Sequence, residues 1–438
     1  MRKRIYLSLL SAVSLFAIKS TEAQIQTLSP YSSIGLGENA TTNSQHFNDM
    51  GGTSIGMYSQ NYLNLANPAS FTNLKLVNFE IGTYGKFTKY DQGNLSSGYN
   101  DVNFSQLSLG ADIGPRAGLA FGFTPLSNHG YEVTNSPKQI DFSSSPNITD
   151  TVDYTTSFDG TGGINKLFAG GAYKINENFS VGAQVFYYFG NLVKNQEVEF
   201  SSSSYSSSRT ESKISVKDVG FDFGLQYSKI LENENRLTLG ATYTPKTSLS
   251  SKQTDYKYTY KNTSVNQIVL DTVQFESRTN GDMDIPMSLG FGFSYAKPDK
   301  WMIGGDFRMT QWSDAKYFGT TPTGLKDEIS MAFGGSYIPN KEDVRYFWNR
   351  VEYRGGLKYK SGNLELSSGS NAELTTINEI GINFGLGIPM RKTNSTLNLG
   401  FEFGQRGTTS NNLIKESYFK TYISFNFRDK WFVKRKID

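Results

Sequence analysis

The stretch from Leu397 to Gly404 reads Leu-Asn-Leu-Gly-Phe-Glu-Phe-Gly and alternates a large apolar residue with a small or polar one. Successive side chains of a β-strand point to opposite faces, so this stretch has one apolar face and one polar, glycine-rich face. Other segments along the chain share the alternation. A strand with lipid on one side and a wet lumen on the other has this pattern. We therefore expect an all-β fold, a transmembrane antiparallel β-barrel.

The alternation predicts about fourteen strands, an even number of the kind found in single-chain bacterial barrels. Helical spacing of apolar residues does not fit these segments. The predicted strands are 75–90, 101–112, 116–124, 165–175, 178–200, 208–229, 236–256, 284–296, 301–313, 326–338, 349–360, 376–388, 395–406 and 416–427.

The predicted connections alternate between short and long. Those at 113–115, 176–177 and 297–300 are short, and the long polar ones are 125–164, 257–283, 314–325, 361–375 and 407–415. Outer-membrane barrels have short periplasmic turns and long external loops, so this order predicts that both chain ends are periplasmic. A soluble β-sandwich or propeller is the alternative, but it has no reason to sort its loops in this way.

The N-terminus predicts export. Met1 to Arg4 is basic, Ile5 to Ile18 is apolar and too short for a spanning helix, and small residues precede Gln24. We predict a cleaved signal peptide at 1–23, with an uncleaved anchor as the alternative. The chain has 0 cysteines and a net charge of +3, so neither a disulfide framework nor a nucleic-acid partner is indicated. The predicted location is the cell outer membrane.

Residues 24–74 do not alternate, yet they contain apolar residues such as Ile34, Leu36 and Ile55 that a disordered tail would not need. A fourteen-strand barrel is too wide to be filled by its own side chains, so we expect this segment to form a plug in the lumen. The predicted organisation is completed by a barrel at 75–427 and a basic periplasmic tail at 428–438.

Met50-Gly51-Gly52-Thr53 and Leu65-Ala66-Asn67-Pro68-Ala69 resemble the N-terminal hatch of the FadL/TodX family of outer-membrane transporters for hydrophobic compounds. An Asn-Pro-Ala motif lies in the plug of that family. Further similarity lies in Leu239 to Lys246 and in Trp301 to Ser313, and the tail from Asp429 to Lys436 looks like that of the Bacteroidetes branch.

The resemblance implies passive uptake of hydrophobic compounds such as long-chain fatty acids. A ligand would be captured at the external loops, pass beside the hatch, and leave after hatch movement or through an opening in the wall. Asn67, Pro68 and Ala69 would be the hatch motif, although an ordinary turn into the first strand is the alternative. The family's wall opening is associated with a distorted third strand, so Gly114, Pro115 and Gly118 would mark a kink.

The sequence gives little support for catalysis, a cofactor or a metal site. Its two histidines are His46, in the hatch, and His129, in a predicted loop. Carboxylates occur at Asp282 and Asp284 and at 327–328, without the ligand number of a calcium loop. We therefore predict that the protein is not an enzyme.

Two further functions stay open. The polar lumen faces would also suit a general porin for polar solutes. A non-transporting barrel that serves as an accessory or scaffold in a secretion or outer-membrane complex is the third possibility. The predicted partners are outer-membrane lipid, a hydrophobic small-molecule ligand and an outer-membrane protein complex, with no nucleic acid. The sequence does not identify the ligand.

Overall fold

The computed structural model describes residues 27–40, 43–135, 137–141, 151–202, 204–262, 267–367, 373–391 and 393–430. The predicted signal peptide at 1–23 and the tail beyond Lys430 lie outside the described residues. The structure is all-β, and fourteen antiparallel strands close into a barrel, as predicted. Closure occurs where the last strand pairs with the first, from Val77↔Asp429 to Asp91↔Lys415.

We number the barrel strands in chain order. They are β1 (Val77–Gln92), β2 (Leu95–Asp112), β3 (Ala117–Asn128), β4 (Thr151–Lys174), β5 (Phe179–Phe200), β6 (Ser207–Ile230), β7 (Arg236–Thr244 and Thr247–Asn262), β8 (Gln267–Ile285 and Ser288–Lys297), β9 (Trp301–Thr310), β10 (Glu328–Tyr337), β11 (Glu352–Lys360), β12 (Glu379–Pro389), β13 (Thr396–Gly407) and β14 (Lys415–Asp429). Strands β7 and β8 are interrupted at Pro245 and Pro286, because proline cannot donate to the ladder.

Short elements lie outside the barrel ladder. Among the described residues, no helix has the length and apolar character needed to cross a membrane. The helices are Gln45–Asn48 and the 3-10 turns Pro30–Ser33, Pro68–Asn73, Trp312–Asp314, Phe347–Arg350 and Ser410–Asn412; the short strands are Glu38–Asn39, Tyr131–Thr134, Lys138–Asp141, Glu365–Leu366 and Thr375–Thr376.

The outward face of the barrel is apolar. Phe121, Phe291, Phe333 and Phe384 are each more than half exposed. In water such a surface would be costly, whereas in a bilayer it faces lipid chains. The alternation seen in the sequence therefore corresponds to two real faces of the wall.

Strands β4, β7 and β8 extend well beyond their predicted bounds. The segments 125–164 and 257–283 were expected to be long loops, but β4 begins at Thr151, β7 continues to Asn262 and β8 begins at Gln267. These extensions carry Ser, Thr and Tyr rather than an apolar face, so the alternation did not reveal them. The barrel consequently has a short-turn end, with connections such as 113–116 and 175–178, and a long-loop end where these strands project.

Candidate ligand cavity and hatch

The segment before β1 packs inside the barrel, and we call its described part, residues 27–74, the hatch. Phe47, Met50 and Met57 are 0% exposed. The chain starts near the long-loop end, where Ser127 Oγ on β3 donates to the Leu36 carbonyl at 2.6 Å. It then descends to the short-turn end and enters β1. The hatch therefore spans the lumen lengthwise.

A belt of lumen-facing glycines lets the hatch lie directly on the wall. A Cβ atom added to any of them would come within 3.0 Å of a hatch atom. For Gly356 this atom would be the Met50 carbonyl carbon, at 2.1 Å. Each strand from β2 to β13 contributes at least one such glycine, and we take one from each strand as the glycine belt: Gly110, Gly118, Gly170, Gly182, Gly224, Gly240, Gly292, Gly304, Gly334, Gly356, Gly385 and Gly400.

The Asn-Pro-Ala motif lies at the glycine belt. Asn67 Nδ2 donates to the Ile55 carbonyl at 2.9 Å and to the Leu225 carbonyl of β6 at 3.0 Å. Asn67 Oδ1 accepts from the Ala69 backbone N–H at 3.1 Å and so caps the turn Pro68–Asn73. The motif thus joins two parts of the hatch to the wall, while its role in hatch movement stays a prediction.

Arg354 on β11 holds the opposite side of the hatch. Its side chain is 0% exposed, and its guanidinium lies 3.1 Å from Asp49 Oδ2 and donates to the Tyr62 hydroxyl at 2.8 Å. Glu352 accepts a further bond from it at 2.7 Å, and His46 stacks on Tyr62 at 4.0 Å. Burial raises the pKa of Asp49 to about 8 and lowers the pKa of His46. We call this group the Arg354 latch.

An apolar cluster joins the hatch to the external connections at the long-loop end. Tyr31 and Ile34 of the hatch pack against residues of the external connections, and the Tyr31 hydroxyl donates to the Ile414 carbonyl at 2.5 Å. The loop residues of this mouth cluster are Leu325, Leu364, Leu366, Ile377, Leu413 and Ile414. The start of the hatch is therefore anchored to the external connections.

The inner surface of the barrel has two unlike halves. The apolar wall, on β4 to β8, consists of Phe168, Phe186, Tyr188, Leu192, Ile214, Val216, Leu249 and Met283. The charged wall, on β1 and β11 to β14, consists of Lys86, Lys358, Glu379, Glu402, Arg406, Glu416 and Lys420. Lys358 Nζ lies 2.6 Å from Glu402 Oε1 and 2.8 Å from Glu379 Oε1. Charges on this wall are therefore neutralised by each other.

A cavity of about 380 Å³ lies between the two walls, above the hatch and below the mouth cluster. Phe186, Tyr188 and Trp312 line one side, and Lys358 and Glu402 line the other. This volume is within the range of small-molecule sites.

Two cations in the cavity differ from those of the charged wall. Lys166 lies over the Phe186 ring at 4.7 Å, and Arg308 lines the same cavity. In the part of the chain that the structure describes, neither forms an ion pair within 4.0 Å. Asp222 and Asp306 line the same cavity and act on these cations electrostatically, but from beyond ion-pair distance, so both cations can still form an ion pair with an anionic group.

The wall is interrupted between β2 and β3. Their ladder runs from Asp112↔Gly118 to Leu107↔Phe123 and ends there, although both strands continue toward the long-loop end. Above this ladder, the hatch strand Glu38–Asn39 pairs with β3. On its other side, β3 pairs with β4, and the register of that pairing shifts between Pro125 and Ser127. Pro125 could have indicated this break in the sequence, since proline protects a strand edge.

The residues predicted to mark a kink lie lower in β3. Gly114, with φ of 125°, and Pro115 are in the turn before it. Gly118 is a member of the glycine belt and would clash with the Phe71 carbonyl if it carried a Cβ. The register between Asp112 and Gly118 is regular, and the functional kink stays a prediction.

The other residues considered for catalysis or metal binding contact neighbouring protein groups. His129 Nδ1 lies 2.7 Å from the Ser32 carbonyl oxygen, and Asp284 Oδ2 lies 2.8 Å from Lys246 Nζ. Asp327 accepts from the Ser313 hydroxyl at 2.6 Å. Among the described residues, no three His, Asp or Glu side chains are grouped as metal ligands would be.

Comparison with known proteins gives a family and a fold. The family model BamG matches residues 1–438. No curated protein matches the chain. The structure of the P. putida toluene transporter TodX is similar with a TM-score of 0.57 and 16% identity, covering 90% of this chain and 100% of that chain.

Two other solved structures have the same fold. The Ralstonia pickettii toluene transporter TbuX is similar with a TM-score of 0.57 and 16% identity, covering 89% of this chain and 99% of that chain. A Pseudomonas aeruginosa FadL homologue is similar with a TM-score of 0.57 and 14% identity, covering 89% of this chain and 98% of that chain. At these identities the similarity establishes a FadL-like barrel fold.

Proposed function

We propose, since this chain belongs to the BamG family and has the fold of toluene transporters, that it is an outer-membrane protein for passive uptake of hydrophobic compounds. The finer substrate class that we propose is amphipathic and anionic, such as long-chain fatty acids. We further propose that the barrel is oriented with its short-turn end and both chain ends in the periplasm. The basic residues of the tail, Asp429 to Lys436, support assignment to the Bacteroidetes branch.

The observation that carries this proposal is the two-sided cavity. Its apolar side, with Phe186 and Trp312, suits a hydrocarbon chain. Lys166 and Arg308 suit a carboxylate head, because neither is held in an ion pair, although Asp222 offsets part of their charge. Lys358 of the charged wall already shares two carboxylates and offers less.

The proposed route enters at the external loops and leaves through the wall. Loop movement at the mouth cluster would admit the ligand. The interruption above Leu107↔Phe123 supports a lateral exit toward lipid. Gly114, Pro115 and Gly118 would let the foot of β3 bend, and movement of the hatch around Asn67, Pro68 and Ala69 would open the way.

The test is binding of oleate to purified protein in mild detergent, beside mass spectrometry of extracted small molecules. We expect wild type to retain oleate and the variant K166Q/R308Q to bind it about tenfold more weakly. K213Q/K300Q, at two exposed lysines, is the matched control. Equal affinities for all three proteins would refute the proposed head-group site.

A second function has its own supporting observation. The glycine belt and the Arg354 latch fasten the hatch over most of the barrel circumference, as suits a barrel that transports nothing and serves a complex. We would purify the protein from native membranes under mild conditions and identify companions by mass spectrometry. Stable stoichiometric companions without bound oleate would favour this function. An open conductance in planar bilayers would instead favour the general porin.

A further inference from the structure

Three polar side chains lie buried at the end of the β2–β3 ladder without hydrogen-bond partners. Both amide atoms of Gln106, the Ser108 hydroxyl and the Thr124 hydroxyl are unpartnered. The exposed fractions of these residues are 1%, 1% and 0%. Buried polar atoms in proteins nearly always have partners, so four unpartnered atoms in one place require an explanation.

The ladder register groups these residues. Leu107 pairs with Phe123, and Ser108 pairs with Gly122. Gln106 and Thr124 are the next residues on each strand, directly beyond the last pair. Since Leu107 and Phe123 face outward, their neighbours in sequence face the lumen. We call Gln106, Ser108 and Thr124 the polar trio.

The surroundings of the polar trio are apolar on the side of Phe168, whereas two charged side chains flank it: Lys166 on β4 pairs with Thr124, and Glu80 on β1 pairs with Ser108. A Cβ atom at Gly122 would lie 2.8 Å from the Phe168 ring, so this ring covers the wall at the level of Ser108. Phe168 and Ala120 belong to the large apolar cluster of the barrel. In such surroundings a polar group without a partner is costly, and an incoming group that hydrogen-bonds to it gains correspondingly.

The outer side of the same position suits a hydrocarbon chain. Val102 and Phe104 face outward and are 62% and 38% exposed. The Phe104 ring lies 5.5 Å from that of Phe123 across the two strands. Polar groups inside and apolar groups outside therefore meet at the interruption in the wall.

We propose that the polar trio binds the uncharged polar head of an amphiphile, such as a monoacylglycerol, whose chain extends through the interruption toward lipid. An amide and two hydroxyls offer donors and acceptors but no charge, so they match hydroxyl and ester groups. A carboxylate is disfavoured beside Ser108, because the buried carboxyl group of Glu80 lies directly across the β1–β2 ladder. The site rests on the proposed uptake function only in using the lateral opening as its access, and it is distinct from Lys166 and Arg308.

The test uses full-length, delipidated protein in detergent, with monoolein and oleate as separate probes. Bound probe is quantified by mass spectrometry after gel filtration. We expect Q106L/T124V to bind monoolein at least about tenfold more weakly than wild type and to bind oleate unchanged. T88V is the matched control, because the Thr88 hydroxyl is also buried and unpartnered but lies on β1, away from the interruption.

Undiminished monoolein binding by Q106L/T124V would overturn the proposal and leave buried water as the partner of the trio. If oleate does not bind wild type while monoolein does so through the trio, the proposed head-group cavity fails and this site stands. Should the double variant not fold, a photoactivatable monoacylglycerol analogue replaces it. Cross-links of wild type within residues 95–128 support the site, and their absence from that range refutes it.

Discussion

The apolar wall and the charged wall are built from the same kind of strand and differ only in what faces inward. On β5, Phe186 and Tyr188 face the lumen and Tyr187 faces lipid, so both faces are apolar. On β13, Glu402 faces the lumen and Phe401 and Phe403 face lipid. The outward face is thus fixed by the membrane, whereas the inward face is free to define the cavity.

The two walls are stabilised by different physics. Glu402 accepts from the hydroxyls of Tyr418 and Tyr422, both at 2.9 Å, and its lysine partners lie beside it. These charges are favourable only together, because each alone would be an unpaired buried charge. Leu192 on the apolar wall is 0% exposed and depends on close packing. Substitutions should therefore distinguish the walls.

The largest effect is expected on the charged wall. E402L leaves Lys358 and Lys420 with fewer partners and removes the acceptor of two tyrosines. We expect the free energy of unfolding to fall by about 3–5 kcal/mol. Thermal unfolding in detergent measures it, with E342Q on an exposed turn as control. A loss no larger than that of the control would mean that the charged wall is dispensable for stability.

The corresponding change in the apolar wall is L192A. Removing buried methyl groups leaves a cavity, and we expect a loss of about 3 kcal/mol. This loss should not vary with salt or pH, unlike that of E402L. L225A, at a lipid-facing leucine that is 47% exposed, is the control. Equal salt dependence of both variants would erase the distinction between the walls.

The next prediction concerns the contact between the hatch and the glycine belt, which lies below both walls. G356V would place side-chain atoms into the Met50 backbone, and overpacking of this kind costs about 1–3 kcal/mol. G355V is a close control, since the only atom near a Cβ at Gly355 is the Asn383 carbonyl oxygen, at 3.9 Å. Displacement of the hatch should also appear as conductance in planar bilayers. Equal stability and equal conductance of G356V and G355V would refute the close contact between Gly356 and Met50.

Much of the barrel followed from the sequence because lipid imposes an alternation that survives without an alignment. Leu397 to Gly404 on β13 is an example, and all fourteen strands were located in this way. The extensions of β4, β7 and β8 were missed because beyond the membrane no apolar face is required. Contacts such as Asp49 with Arg354 join residues far apart in the chain, and no local pattern encodes them.

The division of the lumen was also beyond the sequence. Phe186, Tyr187, Tyr188 and Phe189 form a continuous aromatic run, which marks a strand but does not say which residues meet across the lumen. The polar lumen faces expected from the sequence lie mainly in one half, whereas Lys166 and Asp222 are charged residues among the apolar strands of the other half. The break between β2 and β3 depends on the register with the hatch, which is a tertiary property.

The smallest effect expected at neutral pH concerns Asp49, where the hatch meets β11. Its pKa is raised by burial to about 8, so the folded protein binds this proton more tightly than the unfolded chain does. The bound proton of Asp49 therefore contributes fully to the free energy of unfolding below the ordinary carboxyl pKa. This contribution is lost as the pH rises through about 8. D49N keeps a neutral side chain of similar size, so the free energy of unfolding at pH 6 should change by less than about 1 kcal/mol. Melting temperatures between pH 5 and 9 should therefore fall more steeply for wild type than for D49N. Parallel pH profiles would show that Asp49 stays ionised beside Arg354, and the latch would then belong with the ion pairs of the charged wall.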